Sequence, residues 1–281
     1  MISLNQKTRA EQFHSLHSGT ELLVLPNAWD AASARIYEQA GFQAIATTSS
    51  GVAAALGYAD GEHISREMLI ETVTRITRVI TCPLTVDIEA GYGKSIDEVL
   101  QTVQMLIAAG AVGINIEDST KGPESALIDI TFQVDLIKAI RELASSMDIP
   151  LVINARTDVF LLKVGDSSEQ FAQSVQRANA YRIAGADCLF PILARDANTI
   201  RNLVKAINGP VNILAGPLTP SLAELAQLGV ARVSFGGGLM SAVLGYLRRV
   251  AQELRTSGTY TYAAEYSLSA TEFATLFSQN S

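Results

Sequence analysis

Short apolar runs alternate with longer stretches of helical periodicity along most of the chain. The runs are ELLVLP (21–26), FQAIATT (42–48), PLTVDIE (83–89), VGINIE (112–117), PLVINAR (150–156), ADCLFP (186–191), PVNILA (210–215) and ARVSFG (231–236). Each has the length of a buried strand. The clearest helix between them is SIDEVLQTVQMLIAAG. Its Ile96, Val99, Leu100, Val103, Leu106 and Ile107 form one apolar stripe. Ser95 and Glu98 supply the S-x-x-E capping box at its start. Thr219 is placed to cap another helix that opens with Pro220.

AG or LG steps precede the strands at AGF (40–42), AGAVG (109–113), AGAD (184–187) and LGVAR (228–232). Glycine after a helix provides the left-handed cap that turns the chain into the next strand. Strand and helix in alternation, joined by right-handed crossovers, give a parallel sheet. Eight such units predict an α/β fold, a closed (β/α)₈ barrel of the TIM type. An open doubly wound sheet is the alternative, weakened by the lack of GxGxxG after the first strand. The barrel spans residues 1–255. Residues 256–281 fall outside the eight units, and SATEFATLF within them has its own S-x-x-E cap, so a C-terminal helical extension follows.

Composition narrows the class. The chain has 281 residues, 48% of them apolar and 17% charged, with mean hydropathy +0.22. That predicts a large core rather than disorder. No apolar run approaches membrane-spanning length. Met1 is not followed by a charged and then a long apolar segment, so a cytoplasmic location is expected. A net charge of −7 and the lack of a basic cluster argue against nucleic acid or an anionic membrane as partner. Cys82 and Cys188 read as reduced thiols at strand edges, without metal spacing. His14 and His17, three apart, read as surface positions on an N-terminal helix.

Chemistry in such a barrel gathers at the C-terminal strand ends. Those ends are polar here: Asn27, Thr47 to Gly51, Asp87 and Glu89, Glu117 and Asp118, Asn154 and Arg156, Asn212, and Gly236 to Gly238. Alternation within the strands turns Thr85, Asp87 and Glu89 inward, with Gly113, Asn115 and Glu117, and with Val152, Asn154 and Arg156. Two carboxylates side by side in CPLTVDIEAGYG (82–93) need a cation or water. Asp87, Glu89 and Glu117 converge at one mouth beside Arg156. This suggests a hard cation such as magnesium with an anionic substrate. An ion-pair cluster of Arg156 with the acids is the competing reading.

These stretches resemble a known family. VDIEAGYG resembles the D-x-[DE]-x-G-[YF]-G signature of the isocitrate lyase/phosphoenolpyruvate mutase superfamily. TTSSGVAAALGYADG (47–61), NIEDS (115–119) and INARTD (153–158) resemble its second-, fourth- and fifth-strand motifs, in the family's order, over roughly residues 20 to 255. The resemblance implies Asp87 as the direct ligand of Mg²⁺ (Mn²⁺ as alternative), with Glu89 and Glu117 binding through water. It implies Ser49, Ser50 and Gly51 as the grip on a substrate carboxylate, Arg156 on the substrate's oxygens, and Asp60 near the reacting group. Asn212 is taken as a further substrate contact, and Lys121, Glu124 or a tyrosine such as Tyr58 or Tyr92 as the candidate proton donor. The implied activity is C–C cleavage of a small 2-oxo or 2-hydroxy di- or tricarboxylate through an enolate-like species. C–P chemistry on phosphonopyruvate or phosphoenolpyruvate is the alternative, and a non-catalytic 2-oxo acid binder the third.

Two departures bear on the choice. The loop after the fourth strand, DSTKGPESALIDIT (118–131), lacks the K-[KR]-C-G-H cysteine motif of the isocitrate-type lyases. It also lacks the asparagine of the mutases' E-D-K…P-K-x-N. The glycines of LAGP (214–217) and SFGGG (234–238) read as turns rather than a phosphate site. The resemblance also implies a homotetramer, and the aromatic extension 256–281 suits an interface with a neighbouring subunit.

Overall fold

The computed structural model describes residues 4–19, 21–120, 122 and 124–278. All eight apolar runs form strands, and the first is split. The strands are β1 (Leu23–Leu25), β2 (Asn27–Ala28), β3 (Ile45–Thr47), β4 (Leu84–Asp87), β5 (Gly113–Glu117), β6 (Val152–Thr157), β7 (Cys188–Pro191), β8 (Asn212–Leu214) and β9 (Arg232–Ser234). Every pair is parallel, in the orders β1-β9-β8 and β2-β3-β4-β5-β6-β7. Pro26 explains the break between β1 and β2, because it has no N–H to donate. Its carbonyl still accepts from Ala46 N–H at 3.0 Å. A single bridge, Leu189 to Val211, joins β7 to the start of β8 and closes the eight-stranded barrel.

The helices form where the apolar periodicity placed them. Ile96–Ala108 carries the expected Ser95/Glu98 capping box and buries Val99, Val103, Leu106 and Ile107. Gly41, Gly110, Gly185 and Gly229 all have φ between 84° and 114°, as the AG and LG steps predict. One cap differs. Ser221, not Thr219, caps the helix Leu222–Gln227, because Glu224 completes a capping box with it. Thr219 instead exchanges hydrogen bonds with Gly216.

The helix Leu4–Leu16 stoppers the N-terminal end of the barrel. Phe13 is fully buried and reaches Gly113 of β5. A Cβ at Gly113 would stand 2.7 Å from Phe13 Cε1 and 2.9 Å from Thr85 Oγ1, so only glycine fits under the ring. His17 also corrects the sequence reading. His14 is half exposed, but His17 is buried and packs edge-on against Phe13. Its Nε2 faces Arg232 Nη1 at 3.4 Å and its Nδ1 lies 2.8 Å from Phe13 O. Arginine can only donate, so Nε2 is the acceptor and Nδ1 carries the proton. Both thiols stay neutral, burial pushing Cys82 and Cys188 up to about 12.

After the long helix Gly238–Ser257 the extension forms Thr261–Tyr266 and Ala270–Thr275, the latter with the expected Ser269/Glu272 capping box. Its tip returns to its own barrel, where Leu276 is buried and its carbonyl accepts from Arg35 Nε at 3.1 Å. Val243, Leu247, Leu254, Tyr260, Tyr266 and Phe273 remain exposed. No described helix is long and apolar enough to cross a membrane.

Burial, with the Arg232 charge beside it, lowers His17 from its usual range to about 3. The unfolded chain therefore binds one more proton than the folded chain between about pH 6.5 and 3. Stability then rises with pH across that window, by at most about 1.4 kcal/mol per pH unit from this residue. Denaturant titrations from pH 4 to 7 are expected to show a shallower slope in His17→Gln than in the wild type. Equal slopes would remove His17 as an acid-labile element.

Candidate active site at the barrel mouth

A cavity of about 260 Å³ opens among the C-terminal ends of the strands. Asp87, the last residue of β4, faces it, and every bond that Asp87 makes comes from an adjacent strand or loop. Its N–H donates to Thr47 Oγ1 at 2.9 Å. One carboxylate oxygen accepts from Ser49 N–H at 3.1 Å. The other accepts from Asn115 Nδ2 at 2.9 Å and Glu89 N–H at 3.3 Å. Asn115 Oδ1 in turn accepts from Asn154 Nδ2 at 2.7 Å. Asp87, Asn115 and Asn154 are register partners on β4, β5 and β6. A chain of side-chain bonds thus crosses three strands at one level and ends on the carboxylate. The inward alternation expected of Asn115 and Asn154 is what builds it.

Glu89 departs from that alternation. The strand ends at Asp87, and Glu89 lies beyond it with φ 51°. Glu62 and Tyr92 share this left-handed backbone, at 59° and 56°. Such strain costs on the order of 1–3 kcal/mol per residue and persists where surrounding bonds enforce it. The bonds here are reciprocal. Glu89 Oε1 accepts from Glu62 N–H at 2.9 Å and from Tyr92 O–H at 3.2 Å. Glu62 Oε1 accepts from Ala90 N–H at 3.1 Å and Tyr92 N–H at 2.9 Å. The pair clips the loop carrying Asp60 to the loop after β4. Burial and the flanking acids raise the Tyr92 hydroxyl, so it stays protonated and donates.

Glu117 and Arg156 are register partners at the ends of β5 and β6 and form an ion pair. Arg156 Nε also donates to Asp158 Oδ1 at 2.6 Å. Burial works against the Arg156 charge, but the Glu117 and Asp158 carboxylates outweigh it and raise its pKa further. Asp158 is itself buried and accepts from Ser119 O–H, while its N–H donates to Asp118 at 2.8 Å. Asp118 is held by Tyr181 O–H at 2.7 Å and Arg177 Nη1 at 3.1 Å. Its burial raises its pKa against those bonds.

The three expected metal acids do not meet in one space. Asp87 lines the main cavity, whereas Glu89 and Glu117 line an adjoining one. Arg156, Asp60 and Leu161 border both. Among the described residues no three acidic, histidine or cysteine side chains close into a ligand cage. The donor set still suits a magnesium ion, which takes one or two carboxylates and keeps several waters. Asp87 lines the cavity among amide and hydroxyl groups of Asn115, Ser49 and Thr47 rather than thiols. Arg156 and the acids do form the ion-pair cluster considered from sequence.

Ser49, Ser50 and Gly51 open the helix Ser49–Ala55, where first-turn amides lack helical partners. Ser49 and Ser50 line the cavity, and a Cβ at Gly51 would stand 2.5 Å from Thr48 Cγ2. Asp60 is exposed on its loop at the cavity border. Lys121 lies outside the described residues. Asn212 is corrected: it begins β8, is fully buried, bonds Ser234 Oγ at 3.1 Å and does not line the cavity, which Leu214 does. Gly236 and Gly237 are turns, as expected, and also wall the cavity. Asn27 Oδ1 fixes them by accepting from the N–H groups of Phe235 (2.7 Å) and Gly236 (3.0 Å). Sequence reasoning missed Asp158, Glu62 and Arg232. Asp158 sits two residues from the inward Arg156, a signal that was present.

The phosphoenolpyruvate phosphomutase family model matches residues 13–255. A Mycobacterium tuberculosis protein of uncharacterized function is 39% identical over 83% of this chain and 84% of its own. The 2-methylisocitrate lyase of Escherichia coli is 32% identical, covering 82% of this chain and 79% of the lyase. An oxaloacetate decarboxylase of Rhodopseudomonas palustris is 32% identical, covering 75% and 72%. Among solved structures, a Burkholderia cenocepacia protein described provisionally as a lyase/mutase superposes with a TM-score of 0.90 at 34% identity, over 98% of this chain and 97% of its own.

Proposed function

The chain belongs to the phosphoenolpyruvate phosphomutase family, within the isocitrate lyase/phosphoenolpyruvate mutase superfamily of lyases and mutases, and on that premise we propose a magnesium-dependent carbon–carbon lyase. Its substrate is a small 2-oxo or 2-hydroxy di- or tricarboxylate, and a 2-oxo acid is released. The observation that carries this reading is the Asp87 carboxylate, fixed by Asn115 and by Ser49 N–H, in one cavity with Arg156, which Glu117 and Asp158 hold through Nη1 and Nε. Asp87 would hold the metal, and Glu89 and Glu117 would bind it through water. When bound, the ion stabilises negative charge that grows on substrate oxygen as the bond breaks.

The chain's own groups do the rest. The amides of Ser50 and Gly51 bind one substrate carboxylate at the start of their helix. Arg156, held between Glu117 and Asp158, donates to the substrate. Glu62 and Glu89 hold the loop that brings Asp60 to the reacting group. Lys121, on the loop after β5, is a candidate proton donor. That loop carries no cysteine, so cleavage does not follow the cysteine-dependent route. Lyase and decarboxylase relatives favour C–C cleavage; the family model's own description keeps C–P chemistry as the second reading. The exposed apolar residues of Gly238–Ser257 and of the extension 256–281 are covered in a homotetramer.

Turnover is to be measured on oxaloacetate, alkylated malates, methylisocitrate and phosphonopyruvate, with Mg²⁺ and with chelator. The expected result is metal-dependent release of a 2-oxo acid, reduced at least about a hundredfold in a folded Asp87→Ala. Phosphate release from phosphonopyruvate would select the second reading. Turnover that survives both chelation and Asp87→Ala would reject the metal assignment. For the assembly, light scattering is expected to give the mass of four chains, and a monomer would reject it.

A further inference from the structure

An enolate freed by C–C cleavage must take a proton on carbon, and few groups around the mouth are able to give one. Guanidinium groups keep their protons, and ionised carboxylates only accept. Among the described residues, neither cysteine lines the Asp87 cavity or the adjoining one, and neither do Tyr58, Tyr92 and Glu124. The adjoining cavity, of about 470 Å³, does carry an imidazole, that of His63. The chain's other two histidines, His14 and His17, lie on and just after the stopper helix at the opposite end of the barrel.

The backbone of His63 is pinned on both sides. Glu62, just before it, has φ 59° and is bonded into the loop after β4: its N–H donates to Glu89 Oε1 at 2.9 Å, and its carboxylate accepts from the Ala90 and Tyr92 N–H groups. Ile64, just after it, is buried, and Ser65 caps the helix Arg66–Val79 by accepting from Met68 N–H at 3.2 Å. A left-handed glutamate and a buried isoleucine leave the residue between them little backbone freedom. The imidazole itself is exposed and shares the adjoining cavity with Asp60, Glu89, Glu117 and Arg156. Asp60, Arg156 and Leu161 border the Asp87 cavity as well, so the two spaces meet at the place where the substrate is held.

We infer that His63 is the proton donor to the carbon freed by cleavage, acting from the adjoining cavity. As the C–C bond breaks, its electron pair stays on the enolate fragment. The imidazolium gives its proton to that carbon, becomes neutral imidazole, and takes a proton back from water. With a 2-oxo diacid the other fragment leaves as CO₂. With a 2-hydroxy acid it leaves as a 2-oxo acid, and the hydroxyl proton passes to water. The inference rests on the lyase reading and supplies the donor that the loop 118–131 lacks as a cysteine. It places that donor on the loop after β3 rather than at Lys121.

The test reads proton transfer apart from bond cleavage. The full chain with Mg²⁺ is incubated in D₂O with pyruvate and with succinate, and loss of carbon-bound hydrogen is followed by proton NMR. Cleavage of oxaloacetate and methylisocitrate is measured in parallel. The wild type is expected to exchange hydrogen of one of the two probe acids. His63→Gln is expected to lower that exchange, and kcat with it, at least about a hundredfold while KM is unchanged. Added imidazole is expected to restore exchange to His63→Ala, a rescue that a merely structural role does not allow. Exchange and kcat at wild-type level in His63→Gln overturn the inference, as does exchange lost in Lys121→Ala but kept in His63→Gln. Cleavage that His63→Gln leaves intact contradicts this inference alone. Exchange that depends on His63 in a protein that cleaves neither acid contradicts the lyase reading alone.

Discussion

Asp87 closes a strand whose other residues are buried, and its carboxylate needs bonds or a cation to be tolerated there. The barrel meets that need from its own register. Asn154 donates to Asn115, Asn115 donates to Asp87, and Ser49 N–H reaches the other oxygen. The three side chains can meet because parallel pairing aligns positions 87, 115 and 154 and turns all of them inward. One level higher, the same pairing aligns Glu117 with Arg156. The backbone register therefore fixes both the acid and the arginine of the mouth, and a slip of one residue would turn all of them into the helical layer.

Around this frame the loops are held by carboxylates bonded to main-chain N–H groups. Glu62 and Glu89 clip the loops after β3 and β4 to each other. Asn27 draws the end of β9 towards β3 by accepting from two N–H groups and donating to Thr47 O. Asp118, gripped by Tyr181 and Arg177, supports the backbone of Asp158, which in turn orients Arg156. The reactive side is thus a thin layer of polar residues on a packed apolar barrel. At the bottom of the lumen Phe13 replaces the side chain that Gly113 lacks.

The barrel was legible in the sequence because each strand is a short apolar run, and the glycines of the four AG and LG steps, Gly41, Gly110, Gly185 and Gly229, have the left-handed backbone the pattern required. Inward alternation correctly brought Asp87, Asn115, Asn154, Glu117 and Arg156 to one end. It failed where a strand ended early. Glu89 was assigned to the strand face, but a left-handed backbone beyond Asp87 sends it into the adjoining cavity. Asn212 was read as a strand end, yet β8 starts there, and its side chain stays below the mouth. His17 looked like a surface residue because helical spacing to His14 says nothing about a plug inside the barrel. Thr219 lost the cap to Ser221 because only Ser221 stands three residues before Glu224.

The reading of function turns on whether Asp87 alone touches the metal while Glu89 and Glu117 stay at water distance. A crystal grown with Mn²⁺ and examined for anomalous scattering tests this directly. The expected result is one peak about 2.1 Å from an Asp87 carboxylate oxygen, in a shell otherwise made of water. A peak ligated directly by Glu89 and Glu117 on the far side of Arg156, or none near Asp87, would contradict the assignment.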